Sequence, residues 1–224
     1  VTFIIITAGI DLSVGTVMTL SAVMTGVFVT FMGLPIPVGI LAGILTGMTA
    51  GLVNGIVISR MHVPPFIATL GMMMIARGLS LIISGVRPIY FNDAPGFRMI
   101  TMGSAVGAAV PAIDIPNAVL ILFAAALLAA FILGKTVLGR YTVAIGSNEE
   151  ATRLSGVSVA NWKTAVYVLG GFFSGLAGVV IASRLNSAQP ALGIGYELDA
   201  IAAVGVAFMI AKIGWDLSLH SLRE

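Results

Sequence analysis

Four ionisable side chains stand in stretches otherwise too apolar to hold them: Asp11, Arg77, Glu197 and Asp199. Asp11 lies in Gly9-Ile10-Asp11-Leu12-Ser13-Val14-Gly15, a glycine-flanked interruption between two apolar runs that could form a broken helix or a re-entrant turn. Glu197 and Asp199 lie in Gly193-Ile194-Gly195-Tyr196-Glu197-Leu198-Asp199, which is again glycine-flanked and leads straight into an apolar segment. An acid at membrane depth is costly, so it is expected to serve a function or to be paired. A structural alternative stands beside each: Asp11 capping the following helix through its N–H groups, and Glu197 and Asp199 lying near the outer water interface. Arg77, in Met72-Met73-Met74-Ile75-Ala76-Arg77-Gly78, is too deep in its run for an end-of-helix position. It is expected to face the bundle, paired with a carboxylate or with carbonyls, as a structural ion pair in preference to a substrate contact.

Enzymatic constellations are absent from the sequence. The only histidines, His62 and His220, are far apart, there is no cysteine, and no HExxH, GxSxG or Walker A pattern occurs. The readings that follow are no catalytic residue, no metal site, and ATP-driven work left to another polypeptide.

The elements that must position these groups are membrane helices. Hydrophobic residues make up 58% of the 224-residue chain and charged residues 9%, with a mean hydropathy of +1.10; soluble domains carry about 25% charged residues. Apolar segments at about 14–32, 37–58, 66–84, 118–134, 164–183 and 200–213 approach the roughly 20 residues a helix needs to cross hydrocarbon. Val1 to Gly9 reads as the end of an earlier span. The last segment is short and carries Lys212. The fold class is therefore all-α: a polytopic transmembrane bundle of six to seven spans, a single domain over 1–224, with broken or re-entrant helices at the interruptions.

Basic residues set the orientation. One side holds Arg60, Lys135, Arg140, Arg153, Lys163 and, in the tail, Arg223, and the other holds Arg87, Arg98 and Arg184; six against three puts the loop between the fourth and fifth spans in the cytoplasm. These charges are scattered singly and form no patch for nucleic acid. Five spans separate the two interruptions, so they should enter from opposite sides, as an inverted repeat with a path between its halves would require. The outer loop from Gly85 to Pro116 reads either as a docking surface or as a solvated connector.

Gly39, Gly43, Gly47, Gly51 and Gly55 recur every four residues and so share one helical face. Such a face lets another backbone approach closely. Packing is the expected use, and lining a path is the alternative. Gly171, Gly175 and Gly178 repeat the pattern more weakly. In the cytoplasmic loop, Ser147-Asn148-Glu149-Glu150 fits a capping box with Ser147 as N-cap, Glu149 and Arg153 fall at i,i+4, and Gly156 should end the short helix.

Four stretches carry a family resemblance: GIDLSVG at Gly9 to Gly15, PPFIATLGMMMIARG at Pro64 to Gly78, LGRYTVAIGSNEEATRLSGV at Leu138 to Val157, and SAQPALGIGYELDAIAAV at Ser187 to Val204. In this order they make the chain similar to the permease subunits of ribose-type monosaccharide ABC importers. The resemblance implies alternating access in the bacterial inner membrane, with translocation of ribose or a related sugar. It also implies a permease homodimer or paralogue heterodimer, a periplasmic sugar-binding protein, and a cytoplasmic ATP-binding subunit that carries ATP and magnesium; this chain itself would bind no cofactor. It places Asn148, Glu149, Arg153 and Gly156 in the ATPase-coupling region, and Asp11, Ser13, Glu197 and Asp199 beside the translocation path, with Arg77 a further path candidate.

Family-like sequence runs over 1–204. The remainder, 205–224, departs from the family's glycine-rich continuation, and the family's first cytoplasmic segment and first span have no counterpart, so truncation at both ends is expected. Two other functional readings remain at this point: an ion-coupled secondary carrier, and a truncated, non-transporting permease fragment.

Overall fold

Proline sets where several helices begin. Pro35, Pro64 and Pro116 are the N-cap residues of three long helices, and Pro95 opens a short one; a fixed φ and a missing N–H cost nothing there. Left-handed residues set several ends: Gly85 (φ 63°), Asn186 (φ 51°) and Gly156 (φ 83°). The computed structural model describes residues 1–109 and 114–221, with side chains for 1–108 and 114–210. Within them the order is α1 (Thr2–Ile6), α2 (Val14–Gly26) closed by a π-helical turn (Val27–Phe31), α3 (Ile36–Ser59), α4 (Pro65–Ser84), β1 (Ile89–Tyr90), α5 (Pro95–Met102), α6 (Ala105–Ala109), α7 (Asn117–Lys135), α8 (Val137–Ser147), α9 (Glu149–Leu154), α10 (Val159–Leu185), β2 (Ser187–Ala188) and α11 (Tyr196–Ser221).

Among the described residues, five helices are long and apolar enough to cross a membrane: Val14–Phe31, α3, α4, α7 and α10. They coincide with the first five predicted segments. The sixth segment falls within α11; the Lys212 side chain and Arg223 lie outside the described residues. α1 occupies the stretch expected to end an earlier span.

The centre of the bundle is the α2–α3–α10 contact, and it is made of backbone. A Cβ at Gly47 would strike the Gly171 carbonyl and Gly175, one at Gly51 the Tyr167 carbonyl, and one at Gly55 Thr164. Gly39 and Gly43 face Val29 and Thr25 of the α2 segment, and Gly178 faces the Met18 carbonyl. The stripe is a packing seam, as its spacing predicted, and α3 is held from two sides. Dispersion between closely approached backbones holds such a seam where lipid supplies no hydrophobic drive.

The outer loop is folded onto the bundle. β1 pairs antiparallel with β2, Ile89 opposite Ala188. Phe91 stacks on Phe97 of α5 with ring centroids 4.0 Å apart, and the Ser183 hydroxyl of α10 donates to the Phe97 carbonyl at 2.7 Å. At the opposite end, Arg60 donates to Asn161 at 3.2 Å, which joins the end of α3 to the start of α10, and Lys163 of α10 pairs with Glu149 of α9. The two ends are thus the two faces that the basic residues distinguish.

Candidate functional site

Asp11 is buried at the turn between α1 and α2. Its Oδ1 accepts from the Ser13 N–H at 2.8 Å and from the Ser13 hydroxyl at 2.6 Å. This is an Asx-type turn onto the N-cap residue, not a cap on the N–H groups further along α2. The Ser13 oxygen in turn accepts from the Asn54 amide of α3 at 3.1 Å. The Leu12 N–H donates to the Thr69 hydroxyl of α4 at 3.2 Å, and that hydroxyl donates to the Pro65 carbonyl at 2.9 Å. The interruption is therefore pinned to α3 and α4 by buried polar groups, each satisfied by another, which is how a carboxylate is kept away from water.

The second interruption meets the first. Coming from β2 at the outer end, the chain turns inward so that the Gly193 N–H donates to Thr19 of α2 at 2.9 Å. The Gly193 and Gly15 carbonyls lie against the opposing glycines so closely that neither residue has room for a Cβ. Gly195 (φ 93°) makes the bend, and its N–H donates to Glu197 Oε1 at 3.2 Å. Glu197 Oε2 is buried with no partner among the described residues, facing Gly15. Asp199 is exposed. Five candidate spans lie between the two turns, so they reach this junction from opposite faces.

Arg77 requires a correction. It stands on the exposed side of α4, whose buried face is Thr69, Met72, Ala76 and Ser80. It makes no ion pair among the described residues. Depth in the sequence established how far along the helix it sits; the side it faces depends on which face of α4 meets α2, and that face is set by Thr69 and the small residues Ala76 and Ser80.

The α9 segment corrects two further expectations. Asn148, not Ser147, is the N-cap: its side chain accepts from the Ala151 N–H at 2.9 Å, while Ser147 remains in α8. Arg153 pairs with Glu150 at 2.7 Å instead of Glu149, and Glu149 pairs with Lys163 of α10 at 2.6 Å. Gly156 ends the segment as predicted. Asn148, Glu149, Arg153 and Gly156 are all exposed, and so is Leu154, at 78%. Beneath them a cleft of about 490 Å³ runs between α9 and the α3–α4 loop, lined by His62, Pro65, Glu149, Arg153 and Lys163 among others.

Sequence reasoning missed Asn54, Thr69, Thr19 and Tyr167. Asn54 alone left a signal, an amide beside Gly51 and Gly55 on the small-residue stripe. Lys163 was read only as a topology charge.

A bundle of membrane-length helices with two broken segments meeting inside it, and a capped, charged helix projecting at one end, has the build of a multi-pass membrane protein. Comparison with known proteins makes this particular: the chain belongs to the family described as branched-chain amino acid transport system / permease component, whose profile matches residues 1–215. It is 46% identical over 205 residues to the ribose import permease protein RbsC of Bacillus subtilis, covering 91% of this chain and 61% of that protein. It is 41% identical to the L-arabinose transport system permease protein AraH of Escherichia coli K12 (90% and 58% covered). It is 33% identical to the fructose import permease protein FrcC of Rhizobium meliloti (91% and 56% covered). No solved structure matches it. The chain thus spans about three fifths of the length of the curated relatives it matches.

Proposed function

We propose that this chain is the membrane-spanning permease component of an ATP-binding-cassette importer in the bacterial inner membrane, and that its substrate is ribose or a closely related monosaccharide. The observation that carries this reading is its 46% identity to a ribose import permease over nine tenths of the chain. The weaker likeness to a fructose permease supports the sugar class and favours a pentose within it.

The geometry suits the role. The path runs beside the junction of the two glycine turns, with Asp11, Ser13, Glu197 and Asp199 around it. Backbone contacts between glycines can separate and re-form without repacking bulky side chains, as alternating access needs. ATP hydrolysis belongs to a separate cytoplasmic subunit, which carries the nucleotide and magnesium and docks on α9. There Leu154 offers an apolar knob, with Asn148, Glu149, Arg153 and Gly156 around it. A periplasmic binding protein delivers the sugar to the opposite face, where α5 and the β1–β2 ribbon stand, and a second permease subunit, identical or paralogous, completes the pathway.

The test is uptake of radiolabelled ribose, arabinose and fructose into liposomes that contain the chain with its ATP-binding subunit and binding protein. ATP-dependent accumulation with ribose preferred is expected. Accumulation driven by an ion gradient without ATP would make the chain a secondary carrier.

A further inference from the structure

α1 touches both the segment that would face an ATPase and the turn that holds Asp11. The Ile6 carbonyl lies against Gly146 in the last turn of α8, so closely that no Cβ fits at that glycine. Ile4 packs on Tyr167 and Gly170 of α10. Beyond α1 the chain passes through Ala8, which holds φ at 58°. A non-glycine residue adopts that conformation only when its surroundings impose it.

Tyr167 has no use in the arrangement described so far. Its side chain is fully buried, and its hydroxyl has no partner among the described residues. Buried hydroxyls are seldom left so, and each one calls for an explanation. The hydroxyl is aimed at the turn: a methyl group on Gly9 would stand 2.6 Å from it. Two residues on, the Asp11 carboxylate uses Oδ1 alone, and both of its bonds go to Ser13. An acceptor with spare capacity and a donor with no acceptor thus flank one glycine. On the same α10 face as Tyr167, one turn earlier, Lys163 holds Glu149 of α9.

We infer that the α1–α2 turn has a second position, in which the Asp11 carboxylate leaves Ser13 and accepts the Tyr167 hydroxyl, and that Gly146 pressing on α1 and Lys163 drawing on α10 shift it there when α9 is displaced. Tyr167 is then a positioning residue for the path. The source of the displacement rests on the permease reading; the two positions of the turn do not.

Tyr167→Phe removes only a hydroxyl that is unpartnered here. If that hydroxyl merely fills space, the variant keeps its uptake and is as stable as wild type or more so. If it stabilises the second position, thermal stability is unchanged or raised while ATP-driven uptake falls about tenfold, the equivalent of one hydrogen bond. Asp11→Asn added to that background costs much less than it does alone, because the two residues act on one equilibrium.

A measurement without transport keeps the outcomes separate. The chain has no native cysteine, and Ile10 and Met61 are exposed, so spin labels at Ile10→Cys and Met61→Cys report the turn against the end of α3 in liposomes holding the full chain alone. Two distance populations are expected in the otherwise wild-type chain and one in Tyr167→Phe; the same single population in both overturns the inference. A wild-type complex that takes up no sugar removes the permease reading, while the distances still decide the turn.

Discussion

The two interruptions, Gly9 to Gly15 and Gly193 to Asp199, are written in the same residue types, carboxylates beside glycines at the entry to an apolar helix, yet they are held in different ways. The first is pinned by side chains from two other helices, Asn54 and Thr69, and its acid is buried. The second touches α2 through backbone and one threonine, keeps one Glu197 oxygen on its own Gly195 N–H, leaves the other without a partner among the described residues, and exposes Asp199. A pinned turn and a loosely seated one meet at two glycines. Fewer buried bonds oppose displacement of the Gly193 side, whereas the Asp11 turn moves only where the Tyr167 hydroxyl replaces its bonds to Ser13.

Removing the contact should have the largest effect. Gly15→Val places a branched side chain where the Gly193 carbonyl and Glu197 already stand, and the backbone cannot yield as a flexible side chain would. Overpacking of this kind costs about 3 kcal/mol. Uptake should be abolished, with stability measured by reversible detergent unfolding lowered by that amount. Valine at Gly71, which faces open space, is the matched control and should leave both unchanged. Equal losses at the two glycines would mean that helix flexibility, not the junction, is what the glycines supply.

The pinned turn is the next target. Ser13→Ala removes one bond from Asp11 and the acceptor of the Asn54 amide, both buried. Leaving buried polar groups unsatisfied costs on the order of 2 kcal/mol. Asn54→Ala should cost less, since Ser13 keeps its bond to Asp11, and the double variant should cost little more than Ser13→Ala alone. Additive losses in that thermodynamic cycle would show that the chain from Asp11 to α3 is not one network.

How far this site was legible follows from where its partners lie in the chain. Apolar length placed the five spans within a few residues; α10 alone starts five residues early, at Val159 against Thr164, because its first turn carries Asn161 and Lys163 and projects beyond the apolar window. The four-residue glycine period indicated a seam, and the seam is there. Asp11 could be singled out as an acid in an apolar stretch, and Ser13 through the family-like GIDLSVG stretch that holds it. Asn54 and Thr69, 41 and 57 residues away from the groups they hold, could not. Nor could the orientation of Arg77, because a helix with apolar residues on every side gives no sequence cue to the face it buries. The cap on α9 was displaced by one residue because Ser147 and Asn148 are comparable N-caps; the choice depended on how far α8 continues, and α8 is fixed at that point by Gly146 against α1.

The smallest effect is expected at the loosely seated turn. Glu197→Gln keeps an oxygen for the Gly195 N–H, and it replaces the unpartnered Oε2 with an amide N–H₂ facing the Gly15 and Gly193 backbone, where carbonyl acceptors are at hand. A donor in place of an orphaned acceptor should be neutral or stabilising, within about 1 kcal/mol. Uptake provides the decisive contrast with the first turn. If Oε2 is left unsatisfied because it serves the moving side of the junction, the more stable variant should transport more slowly, as happens where function is kept at the cost of stability. If stability rises and initial uptake rates are unchanged, Glu197 is only a turn residue, and the difference between the two interruptions reduces to how firmly each is anchored.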